Sequence, residues 1–161
     1  MANYTGANVI TTSDVLKYQP DAFDFGISTT ATETVNFLAQ TTNDILRQLR
    51  VEWWPVYKTN IFTDITVLNT AEMVNTKVNL DQFERAGVYL FLGRFYLPAL
   101  TKFRPETEKD RFERMAEYYM SQYNVEWRMI LEDGVEYDVD ADGSIVSNER
   151  EPLHGFRRLT R

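Results

Sequence analysis

Residues 80–103 read LDQFERAGVYLFLGRFYLPALTKF, and this stretch decides the fold class. Phe83, Ala86, Gly87, Leu90, Phe91, Phe95 and Leu97 recur at helical spacing and make one broad apolar face, which Tyr89, Leu92 and Tyr96 extend round the cylinder. A helix this apolar belongs at the centre of a fold or in a subunit interface, because its rings need partners on several sides. Asn79 or Asp81 stands near its start. Pro98 lacks an N–H and crowds the preceding turn, so it predicts a kink or a detached last turn.

Two further helices flank it in sequence. Val35, Leu38, Thr42, Ile45, Leu46, Leu49 and Trp53 form the stripe of the first, with cap hydroxyls on Ser28 to Thr30, Glu33 in the first turn and Pro55 as its stop. Pro105, Glu106 and Glu108 open the other, whose stripe is Phe112, Met115, Tyr119, Tyr123, Trp127 and Ile130 and whose end is Asp133-Gly134. Ile61 to Leu68 alternates apolar and polar residues, which fits either a short strand or the lead-in to a helix over Ala71 to Val78. Val135 to Val139 alternates again, Asp142-Gly143 signals a turn, and Ile145-Val146 resumes an apolar run, the pattern of a hairpin. The expected fold is therefore mainly α, a bundle of three to four long helices with a short C-terminal β-hairpin and extended terminal arms. Three parts are expected along the chain: an arm over 1–27 in which Thr12 or Ser13 caps a short helix through Tyr18, a helical domain over 28–131, and an acidic hairpin with a basic tail over 132–161.

Composition excludes several functions. With 161 residues the chain fits one domain with a real core, and its 14% aromatic share gives that core bulky rings. A net charge of −7 and a pI near 4.8 oppose a phosphate-gripping surface. The cysteine count is 0, which removes disulfides and thiolate metal sites. The start Met1-Ala2-Asn3-Tyr4-Thr5 lacks a signal peptide's basic and apolar regions, and no stretch approaches the roughly 18 apolar residues of a membrane span, so the protein is expected to be made in the cytosol. His154 is the lone histidine, so a Ser/His/Asp triad or a multi-histidine metal site has little to stand on. Glycine-rich phosphate loops are absent, and the many acids read as solvated faces and turns. No enzymatic activity is expected.

The sharpest motif runs from Asp138 to Glu149. Asp138, Asp140 and Asp142 stand at positions 1, 3 and 5 of a calcium-loop pattern, Gly143 at 6, Ile145 at 8 and Glu149 at 12. Calcium takes six to eight hard oxygens, and the glycine permits the sharp turn that wraps the chain round the ion. The flanks depart from a helix–loop–helix, since Asp133-Gly134 stops the entering helix and Pro152 truncates the exiting one. Two readings stand side by side: an exposed acidic hairpin whose Asp and Gly serve turn geometry, or a calcium-binding protein-interaction module with Asp138, Asp140, Asp142 and Glu149 as ligands. Trp53-Trp54-Pro55-Val56-Tyr57 is an aromatic knot at a helix end, suited to core packing or to an interface anchor. Residues 132–149 hold seven acids and no base, whereas 150–161 hold four arginines and one acid. Such a tail suits strand addition or Arg pairing with a partner.

Leu49-Arg50-Val51-Glu52-Trp53-Trp54 at the end of an amphipathic helix, and the aromatic helix around Tyr89-Leu90-Phe91-Leu92-Gly93-Arg94-Phe95-Tyr96-Leu97-Pro98, resemble the head–tail connector (adaptor, neck) proteins of tailed bacteriophages. The Asp-Gly turn followed by an Arg-rich terminus is similar to that of some phage neck proteins. The likeness covers roughly residues 28–161 and is one of helix order, size and flavour. It implies a homo-oligomeric ring, typically of twelve subunits, in the neck of the virion beneath the portal, with phage DNA passing through the channel. The partners implied are the portal protein and a downstream neck or tail protein. Portal docking is expected at Phe156, Arg157, Arg158, Leu159 and Arg161, and subunit contacts at Tyr89, Phe91, Phe95, Tyr96, Trp53 and Trp54. No membrane role is implied, and an acidic channel lining would keep DNA from sticking.

Overall fold

A hydroxyl at Thr11 opens the first regular element: its side chain accepts the Asp14 N–H and Asp14 accepts the Thr11 N–H, a reciprocal cap on the helix α1, Thr12–Tyr18. The computed structural model describes residues 7–101, 111–145 and 149–151. The helices that follow are α2 (Thr32–Gln48), α3 (Trp54–Ile61), α4 (Ile65–Thr70), α5 (Glu84–Leu90), α6 (Leu97–Leu100) and α7 (Arg111–Asp133). Two short strands, β1 (Val135–Glu136) and β2 (Arg150–Glu151), pair antiparallel. The chain is mainly helical. No helix among the described residues is long and apolar enough to cross a membrane.

Proline does not stop the first long helix, contrary to expectation. The chain runs helically from α2 through a π-helical stretch, Leu49–Trp53, straight into α3, with Pro55 in the first turn of α3. The same device recurs at Phe91–Tyr96, a second π-helical stretch that joins α5 to α6 with Pro98 in the first turn of α6. Proline removes one backbone donor and clashes with the carbonyl four residues back; widening the turn before it moves that carbonyl away while the helix continues. The region left open between strand and helix resolves into α4, capped by the Asp64 carboxylate on the Thr66 N–H, and a 3₁₀ turn at Asn75–Lys77.

The residues group into two compact units that differ from the three parts expected from sequence. One comprises 8–44 and 83–127. Its first residues are no extended arm: Ile10, Val15 and Ala22 are buried, and Thr42 Oγ1 accepts the Val9 N–H at 2.9 Å. Phe83, Val88, Leu90, Phe91, Leu92 and Tyr96 supply the rest of this core together with Tyr119, Tyr123 and Trp127 of α7. The Tyr96 hydroxyl donates to the Ile27 carbonyl at 2.8 Å, and the Tyr119 hydroxyl donates to Gln19 Oε1 at 2.6 Å, so rings of the long helices tie down the N-terminal residues. At Gly93 the π-helical stretch comes so close to α7 that an added Cβ would lie 2.9 Å from the Met120 nitrogen and 3.0 Å from the Ala116 carbonyl oxygen. Only a residue without a side chain permits that approach.

The other unit comprises 1–7, 45–82 and 128–161. Its core is the aromatic knot. Trp53 stacks on Tyr57 with centroids 4.4 Å apart, and Tyr137 packs against Trp53, Trp54 and Tyr57 at 5.7, 5.2 and 5.8 Å. Trp54 Nε1 donates to the Ala71 carbonyl, and the Tyr137 hydroxyl accepts the Val74 N–H. Ile45, Leu46 and Leu49 continue the stripe of α2 into this core, whereas Val35, counted with the stripe in sequence, is exposed.

Candidate metal centre

The acidic loop is built from the knot outward. Tyr137 is buried among the tryptophans, and period-2 alternation turns the next side chain, Asp138, to the opposite side of the backbone. On one flank Val78 bridges Tyr137, the Asn79 N–H donates to the Glu136 carbonyl at 3.1 Å, and the Asp138 N–H donates to the Lys77 carbonyl at 2.9 Å. On the other flank Val135 pairs with Glu151 and Glu136 with Arg150, while the Tyr137 N–H donates to the Glu149 carbonyl at 3.0 Å. Residues 77–79 and 149–151 therefore clamp the segment 135–138 from both sides.

This register corrects the expected hairpin. Val135 and Glu136 pair with Glu151 and Arg150 rather than across a tight Asp142-Gly143 turn, and Val146, expected in the returning strand, lies outside the described residues. Ala141 (φ 63) and Gly143 (φ 84) both take left-handed backbone, which curls the chain there, and the partner of β1 is the segment from Glu149 to Glu151. The alternation in the sequence marks strand-like residues but does not name their partner.

The curl brings carboxylates together. One oxygen each from Asp138, Asp140 and Glu149 lies within 4.8 Å of the others. Asp138 and Glu149 are each only 3% exposed. The Gly143 N–H donates to Asp138 Oδ2 at 2.9 Å and the Val139 N–H donates to Glu149 Oε1 at 2.7 Å, which orients both groups. Asp138 Oδ1 is buried and has no hydrogen-bond partner. Three of the four residues expected as ligands thus converge. Asp142 stands outside the group: its Oδ1 accepts the Ser144 N–H at 2.7 Å and the Ser144 hydroxyl at 3.0 Å, a turn-capping role. The Lys77 ammonium donates to the Val139 carbonyl at 2.5 Å, a contact that sequence reasoning missed because the two residues are 62 apart. Arg150 pairs with Glu136 at 3.4 Å.

Chemically, the cluster offers hard oxygen donors only, a set that suits calcium or magnesium rather than softer metals. Its frame is two short strands and a clamp, not the helix–loop–helix of an EF-hand.

The other residues singled out in sequence fall elsewhere. Trp53, Trp54, Phe91 and Tyr96, expected at subunit contacts, are buried within the protein's own core. This corrects their assignment, since a ring packed on all sides by its own chain has no area left for a neighbour. Tyr89 and Phe95 are half-buried, Tyr89 against Tyr18 and Tyr119, and Phe95 stacked on Phe37 at 5.9 Å. Phe156, Arg157, Arg158, Leu159 and Arg161, and the helix start at Pro105, lie outside the described residues. Comparison with known proteins brings no match to this chain, neither to a family model nor to a curated protein nor to a solved structure.

Proposed function

We propose that the chain is a structural protein of the tailed-bacteriophage neck: a head–tail connector that forms a ring beneath the portal, lets phage DNA pass and does no enzymatic work. The observation that most supports this reading is an outward apolar stripe on α7. Tyr118, Val125 and Met129 are 59, 52 and 50% exposed. At 3.6 residues per turn they fall within about 40° of one another. The side chains that α7 buries, Ala116, Tyr119, Tyr123 and Trp127, lie on its other face. Exposed apolar residues scattered singly are ordinary; three large ones in register along one helix suit contact with another protein chain. In a ring that chain is a second copy of this one, so the subunit contact passes from the buried rings expected in sequence to this stripe.

The helical runs 32–61, 84–100 and 111–133 serve in this reading as the long helices of a connector bundle. A ring of twelve, the portal above and a neck or tail protein below follow from the resemblance. The net charge of −7 suits a channel that repels DNA. Phe156, Arg157, Arg158, Leu159 and Arg161 remain the proposed portal-docking residues.

Sedimentation velocity of the chain alone and mixed with a tailed-phage portal protein tests the reading. A ring-sized species or a stable portal complex is expected, and Val125→Glu should abolish it while leaving the helical circular dichroism unchanged. A chain that stays monomeric alone and never co-sediments with the portal overturns it.

A further inference from the structure

We propose that Asp138, Asp140 and Glu149 form a calcium site that closes the loop between β1 and β2. The inference stands on the loop alone and does not depend on the assembly reading.

The decisive observation is Asp138 Oδ1. A buried acceptor without a donor is costly, and a buried carboxylate costs more, unless something supplies positive charge. This oxygen belongs to a carboxylate 3% exposed, and its group lies within 4.8 Å of two further carboxylates, one of them equally buried. Like charges gathered this closely raise the energy of the empty loop, and a divalent cation between them converts repulsion into coordination. The main-chain N–H groups of Gly143 and Val139 occupy Asp138 Oδ2 and Glu149 Oε1, so they hold the carboxylates in place and leave Asp138 Oδ1 for the ion.

Size selects among the hard cations. Calcium–oxygen distances of about 2.3–2.6 Å let ligands stand up to about 5.2 Å apart, so three oxygens within 4.8 Å of one another can share one ion. Magnesium at about 2.0–2.1 Å spans only about 4.2 Å and demands near-octahedral order. With Asp142 turned to Ser144, the loop supplies fewer charges than its sequence pattern promises, so water completes the shell and binding is weaker than in a sensor loop. Bound calcium would fix Asp138, two residues beyond β1, to Glu149, the residue before β2, and so lock the register of the pair.

The test is calorimetric titration of the full chain with calcium chloride and, separately, magnesium chloride, alongside terbium luminescence sensitised through Tyr137. Saturable one-to-one calcium binding with a Kd of about 10⁻⁵–10⁻³ M is expected, with magnesium at least about tenfold weaker. Asp138→Asn keeps the shape of the side chain and should weaken binding at least about tenfold with unchanged helical circular dichroism. Should that variant fail to fold, the exposed Asp140→Asn takes its place. No saturable signal up to about 10 mM calcium, or equal affinity in wild type and the folded carboxylate variant, overturns the proposal.

Discussion

Gly93 is where the backbone of the second π-helical stretch comes nearest to α7, and no property of the sequence announces it. A glycine inside an apolar helical run reads as a mild weakness in helix propensity. Here it is the condition for packing, because the atoms a Cβ would meet include the Met120 nitrogen and the Ala116 carbonyl oxygen, backbone that cannot rotate aside. Gly93→Ala should therefore destabilise the protein by about 1–3 kcal/mol in denaturant titration, although alanine is the better helix former. Trimming Met120 should not rescue it, since the main-chain clash persists. The carboxylates of the acidic loop were more legible. Calcium-loop spacing picked out Asp138, Asp140 and Glu149 from sequence, while Asp142 was lost to a local hydrogen bond with Ser144 that spacing cannot foresee.

Elements were read well where one face is buried and poorly where a partner had to be named. The stripes of α2 and α7 and the end of α7 at Gly134 (φ 98) follow from 3.6-residue periodicity and from glycine's access to left-handed backbone. Aromatic content could not say whether Trp53 and Trp54 face a core or a neighbour, because both environments favour the same rings. Pro55 reads as a stop in sequence, yet the chain widens a turn before it and carries on. Tyrosine hydroxyls then cross-tie the elements, and burial pushes the hydroxyls of Tyr96, Tyr119 and Tyr137 above the usual value. A raised pKa on an acid means that the folded state favours the neutral form. The stability these groups contribute is thus fully present below about pH 10 and is lost as pH rises through their folded values. In an alkaline titration followed at 295 nm, their phenolate absorbance should appear only together with loss of helical circular dichroism. Early ionisation with the helices intact would contradict their burial.

For the whole molecule, the net charge sets how copies meet. In the proposed ring, subunits carrying −7 each would repel one another, and the apolar stripe of α7 would have to overcome that repulsion. Screening shortens the repulsion to about 10 Å at 0.1 M salt and about 3 Å at 1 M, whereas contact between apolar side chains is not weakened by salt. Self-association should accordingly strengthen between about 0.05 and 0.5 M sodium chloride when followed by light scattering. An assembly held by ion pairs would weaken over the same range, which would move the subunit contact away from Tyr118, Val125 and Met129.

The pairing of Val135 with Glu151 has a consequence for the basic residues beyond it. Antiparallel register returns the chain at Glu151 to the residue that follows Gly134, so whatever comes next is tethered beside the last turn of α7. Ten residues from Pro152 to Arg161 reach at most about 35 Å from that anchor, and Arg157 only about 20 Å. Any contact those guanidinium groups make is therefore confined to that radius about one end of a single helix. A macromolecule captured there is held at a distance set by covalent geometry, with the pair of strands as the fixed point of the ruler.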